Sequence, residues 1–94
     1  MMRAGYQEQE LVEVAELVIE EEEHSIIVFN DDVNTFEHVI ETLIDVCKHS
    51  PEQAEQCTML VHYKGKCAVK EGSVEYLKPM KEAICERGID AKIF

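Results

Sequence analysis

The chain has 94 residues, a net charge of −11 and 46% apolar residues, with only two Pro and four Gly. That is room for one globular domain with a modest core. The negative charge argues against a phosphate-backbone partner, and neither a membrane-spanning apolar run nor a charged-then-apolar secretory leader is visible.

In chain order, residues 1–23 form an acidic lead-in, with eight Glu against one Arg. It contains an apolar stretch from Leu11 to Ile19 whose periodicity suits a strand or a short helix equally, followed by the solvated run Glu20–Glu23. The segment reads as an N-terminal extension of uncertain order, and residues 24–94 as the domain. Ser25–Phe29 (SIIVF) is β-branched and aromatic and reads as a strand. The turn formers Asn30, Asp31 and Asp32 end it. Asn34, with Glu37 three residues on, has the pattern of a capping box. Phe36, Val39, Ile40, Leu43, Ile44 and Cys47 then recur at helical spacing.

Ser50-Pro51-Glu52-Gln53 starts a second helix, with Ser as cap and Pro at the first helical position. Ala54, Cys57, Thr58 and Val61 share one face of it, and Gly65 ends it. Lys66–Glu71 is a second strand. Ser73 caps a third helix that carries Val74, Leu77, Met80, Ile84 and Cys85, with Pro79 expected to kink it by removing a backbone donor. Gly88 fits the position just past its end. Ile89, Ala91 and Ile93 alternate with polar neighbours in a final half-buried strand. The order β-α-α-β-α-β predicts an α+β sandwich: a three-stranded, mainly antiparallel sheet with three helices packed on one face.

Three features could carry chemistry, each with a plainer reading. Asn30-Asp31-Asp32 at the strand-to-helix junction can receive a cation or can simply shape the turn. His62, at the end of the second helix, can bind a ligand or satisfy the last helical carbonyls. The stripes Phe36/Val39 and Thr58/Val61 can line a cavity or belong to the core. Cys47, Cys57, Cys67 and Cys85 contain no C-x-x-C pair, and a zinc set of Cys47, His49, Cys57 and His62 matches no structural zinc spacing, so buried free thiols are expected. No Ser or Cys nucleophile has an evident base beside it and no glycine loop cradles phosphate. The chain reads as a binding module without catalysis, cofactor or metal.

Taken together, FNDDVNTFEHVIETL and QAEQCTMLVHYKGKCAV resemble the ClpS family of N-degron adaptors. The resemblance covers residues 24–94 and rests on Asn30-Asp31-Asp32, Glu37-His38-Val39 and Val61-His62-Tyr63-Lys64-Gly65 in that order and spacing. It implies an adaptor that binds proteins bearing a bulky hydrophobic N-terminal residue and delivers them to a Clp AAA+ ATPase–protease, in a bacterial cytoplasm or a plastid stroma. By the resemblance, Asn30, Asp31 and His62 contact the free α-amino group and Asp32 sits at the pocket mouth. Phe36, Val39, Thr58, Val61 and, less firmly, Ala91 line the side-chain pocket, and Glu75 belongs to the patch that docks on the ATPase.

The chemistry agrees with those roles. An α-ammonium, with a pKa of about 8, is charged at neutral pH and asks for acceptors in three directions. A carboxylate, an amide oxygen and a neutral imidazole nitrogen supply them, which links binding to pH. The sequence departs from the family at Phe36 and Thr58, where Met is familiar, and at Met80, where a docking lysine is familiar. An alternative keeps the same fold as a protein-docking module without N-degron binding.

Overall fold

The computed structural model describes residues 23–94; the stretch Leu11–Ile19 and all but the last residue of the acidic run lie outside them. Six elements follow in the expected order: β1 (His24–Phe29), α1 (Phe36–Cys47), α2 (Pro51–Lys64), β2 (Lys66–Gly72), α3 (Val74–Glu86) and β3 (Ala91–Ile93). The sheet is fully antiparallel, with strand order β2-β1-β3.

Because side chains alternate along a strand, central β1 turns Ile26 and Val28 into the helix layer, where both are buried, while Ile27 and Phe29 face the other side of the sheet. Leu43 of α1, Ala54 and Val61 of α2, and Leu77 and Ile84 of α3 close over them. Each large aliphatic side chain fully buried here contributes roughly 1.5–3 kcal/mol.

Ser50 and Ser73 cap α2 and α3 with hydroxyl oxygens that accept from the amides of Gln53 and Tyr76. Gly65 and Gly88 take the left-handed conformation after α2 and α3 at φ 89° and 84°, which costs an L side chain about 1–2 kcal/mol. α3 runs unbroken through Pro79, which leaves the Glu75 carbonyl without its usual amide donor.

Two local details differ from the sequence reading. The cap of α1 is Thr35, whose Oγ1 accepts from the His38 amide at 3.1 Å; Asn34 is not free to cap because its side chain is engaged in the loop before the helix. The thiols are also graded in exposure: Cys47 is buried, Cys57 and Cys67 are half-buried, and Cys85, in the last turn of α3, is exposed. Among the described residues no three His, Cys, Asp or Glu side chains gather as a metal site, and no helix is long and apolar enough to cross a membrane.

Candidate functional site

A cleft of about 300 Å³ opens where the end of β1, the following loop, the start of α1 and the last turns of α2 converge. Its position follows from the topology. The Asn30 amide donates to the Gly65 carbonyl at 2.9 Å, so the end of β1 is tied to the turn that ends α2. The loop is held from the other side by the C-terminus of α3. There the Asn34 side-chain amide donates to the Gly88 carbonyl and the His38 ring to the Arg87 carbonyl, each at 2.8 Å. These contacts use the carbonyls of the two residues that follow the last helical residue of α3, Glu86. The carbonyl can only accept, so His38 Nε2 carries the proton.

The polar end of the cleft is built around Asp31. Its Oδ1 accepts from the amides of Val33 and Asn34, both at 2.8 Å, and its Oδ2 accepts from the Asn34 side chain at 2.6 Å. These bonds hold the carboxyl below its ordinary range. The Asn34 backbone amide acts most strongly, partial burial opposes it, and the Asn34 side chain, the Val33 amide and the nearby His38 add to the lowering. A carboxylate offers about four acceptor sites. The loop takes three, which leaves Oδ2 with one for a ligand. Asn30 and Asp32 lie exposed beside it, and His62 faces them from the last turn of α2.

The other walls are apolar. Phe36 is 41% exposed at the rim and packs edge-on against the His62 ring, with centroids 4.9 Å apart. Val39 and Val61 are buried behind it. Thr58 is 3% exposed, and its hydroxyl donates to the Ala54 carbonyl at 2.7 Å. With the hydroxyl satisfied inside α2, the methyl is the part of Thr58 left to face the cleft. An aromatic rim over an apolar floor, with the Asp31 and Asp32 carboxylates at the polar end, suits a small cation attached to an apolar group.

The structure brings Asn30, Asp31, Asp32, Phe36, Val39, Thr58, Val61 and His62 around this one cleft. Ala91 is not among its walls. It is 4% exposed and paired with Val28 at the start of β3, so its methyl is spent in the core. Ile89, two residues earlier, reaches the cleft instead; the alternation Ile89/Ala91/Ile93 could not say which of the three would. Asn34 and Thr35 were also missed as cleft residues. Their only sequence signal was a helix-start pattern, which hid the role of Asn34 in holding Asp31. Glu75 is away from the cleft, exposed in the first turn of α3. Met80 is partly buried and packs on the core, so it offers no charge to a partner.

Residues 19–91 match the family model described as ATP-dependent Clp protease adaptor protein ClpS. Among solved structures, the chain is similar to Agrobacterium tumefaciens ClpS2 bound to L-phenylalaninamide. The TM-score is 0.72 at 20% identity, over 79% of this chain and 96% of that one. At that identity the likeness is one of fold. No curated protein matches the sequence.

Proposed function

The chain belongs to the ClpS family of Clp protease adaptors, and from that premise we propose that its cleft grips the free N-terminus of proteins that begin with a bulky apolar residue and so brings them to a Clp AAA+ ATPase. The observation that carries this reading is the union, in one small cleft, of the loop-held Asp31 carboxylate, which keeps an acceptor site in reserve, with an apolar floor. The α-ammonium donates to Asp31 Oδ2, to the Asn30 side-chain oxygen and to the ring nitrogen of His62 that is left unprotonated. An internal peptide bond offers no such cation, so chain ends are selected. The first side chain enters between Phe36, Val39, Thr58 and Val61. Each methylene that fits or fails to fit there changes affinity by roughly 1–3 kcal/mol.

The ligand of the Agrobacterium tumefaciens protein, L-phenylalaninamide, combines a free α-amino group with a benzyl side chain, the same two chemistries that meet in this cleft. The rigid Phe36 ring at the rim favours flat aromatic first residues, which can stack or pack edge-on against it. The chain acts by binding and has no reaction of its own. Glu75, exposed with its neighbours Val74 and Tyr76 on the opening turn of α3, is the candidate ATPase contact. A substrate held at the cleft leaves that turn free.

Fluorescence anisotropy tests the reading with one peptide scaffold that begins with Phe, Tyr, Trp, Leu, Met or Arg, plus an N-acetylated Phe control. Binding to the bulky apolar starts that disappears on acetylation is the expected result. Absence of binding to every free N-terminus overturns it in favour of a docking module of the same fold.

A further inference from the structure

The three helices pack on one side of the sheet and bury Ile26 and Val28 of β1. Among the described residues no layer covers the other side. An antiparallel sheet with one solvated face usually carries polar residues there. The outward row of β1, the central strand, instead ends in Ile27 and Phe29, both only half-buried. Ala68 stands opposite Ile27 on β2. Phe94 is 65% exposed and packs edge-on against Phe29, with ring centroids 6.2 Å apart. These side chains line one apolar groove, and two exposed lysines flank it. Lys66 pairs with Phe29 across the ladder, and Lys92 pairs with Ile27 and sets its Nζ 5.9 Å from the centre of the Phe29 ring. Neither lysine has a carboxylate partner among the described residues, where Arg87–Asp45 is the one ion pair. The acids on this side, Glu71 opposite Ser25 and Asp90 opposite Phe29, are exposed at its two ends.

The chain itself supplies a cover of matching chemistry. It enters the sheet through the central strand, at His24, so the residues before His24 leave from the middle of the sheet's end. From there either face is near, and the helix face is already filled. Glu20–Glu23 span up to about 13 Å, enough to turn the chain back over the outer face. Beyond them, Leu11–Ile19 (LVEVAELVI) holds seven apolar residues and two glutamates, Glu13 and Glu16. Nine residues reach about 30 Å extended or about 14 Å helical, against about 20 Å for β1. Either form covers the row from Ile27 to Phe29.

We propose that Leu11–Ile19 folds back onto the outer face of the sheet, with its apolar side chains on Ile27, Phe29 and Phe94 and its glutamates beside Lys66 and Lys92. Burial of apolar surface drives the contact, and the lysines favour an acidic segment over a neutral or basic one. The short link keeps the segment at an effective concentration on the order of millimolar, so it outcompetes a second copy of the chain for the same face. Contiguous exposed apolar surface otherwise promotes association between copies. A partner that grips residues 11–19 has to compete with the face for them. The contact lies on the side of the sheet away from the helices and does not depend on what the cleft binds.

The experiment is NMR on the full chain labelled with carbon-13 and nitrogen-15. Nuclear Overhauser contacts from the methyls of Leu11–Ile19 to the rings of Phe29 and Phe94 are expected, with those methyls displaced upfield by the rings. Methyls at free-chain shifts without such contacts overturn the proposal. So do contacts to Met59 and Tyr63, which line a separate apolar groove on α2, or contacts that appear only between chains in a mixed-label sample, which would give the face to a second copy. Val14→Asp/Val18→Asp changes only the extension and is expected to abolish the contacts and shift the Phe94 ring signals while the signals of the buried core stay in place; unmoved Phe94 signals count against the docking. Lys66→Glu/Lys92→Glu is expected to lower the docked-to-free ratio, read from the averaged methyl shifts, by roughly tenfold. An unchanged ratio removes the lysines from the site.

Discussion

Two polar junctions in this molecule are built from similar residues and come out opposite. At the corner between α1 and α2, His49 is 5% exposed and its Nε2–H donates to the Val69 carbonyl at 2.6 Å, while Lys70 Nζ donates to the Cys47 carbonyl at 3.0 Å. The corner is closed, with even His49 Nδ1 sealed away without a partner. At the cleft, His62 is exposed and makes ring contacts with Phe36 and Tyr63, and Asp31 keeps an acceptor site in reserve. The closed junction fastens a helix pair to an edge strand. The open one leaves polar atoms unspent for a ligand. A histidine near a helix end says nothing by itself about which kind it serves.

The comparison can be broken first at Asp31. Asp31→Ala removes the only carboxylate that the loop holds in place, and binding of free N-termini is expected to fall on the order of 100-fold, the loss typical of a charged pair cut at one side. Anisotropy should register that loss while the circular dichroism spectrum stays as in the parent; retained binding would remove Asp31 from the site. His49→Ala should do the reverse. It leaves the Val69 carbonyl without its donor and opens a cavity, for a cost of about 2–4 kcal/mol in urea unfolding. Peptide affinity measured well below the transition should be unchanged, and a shifted affinity would mean that the corner and the cleft are coupled.

Asn34→Ala sits between these extremes, because one side chain serves both the carboxylate and the Gly88 carbonyl. A loss of about 1–2 kcal/mol in stability is expected, together with roughly tenfold weaker binding. A change in stability alone would show that Asp31 orients itself without Asn34. Thr58→Val should matter least. The hydroxyl bonds a carbonyl of its own helix and the shape is kept, so affinity for Phe and Leu starts should stay within about twofold and stability within about 1 kcal/mol. A larger drop would place the hydroxyl in contact with ligand.

Acid titration sharpens the electrostatic side. The folded-state pKa of Asp31 lies below its ordinary value of 3.8. The stability this carboxylate contributes is therefore fully present above that ordinary value and lost as pH falls through the lowered one. The carboxyl carbon signal of Asp31 in NMR should show the group more than half ionised at pH 3.8. A midpoint at or above that value would contradict the hydrogen-bonded clasp.

Much of the fold was legible because its signals are local. The Ser50 and Ser73 caps, the left-handed glycines at 65 and 88 and the helical stripes of α1 and α2 depend on residues within a few positions of one another. The reading failed at Asn34, where two adjacent residues could cap the same helix and only a partner 54 residues away, Gly88, decided between them. It failed again at Ala91, because strand alternation gives a face but not the point at which the strand leaves the core for the cleft.

The sequence by itself determined the elements, their order and the residue types at the cleft, since periodicity, capping and turn chemistry act over one or two helical turns. Tertiary structure alone decided that the end of β1, α1 and α2 share one cleft and that Ile89 rather than Ala91 lines it. Those facts rest on the register of β1 against β2 and β3 and on how the helices settle over it. Such contacts join residues far apart in the chain, and no local pattern records them.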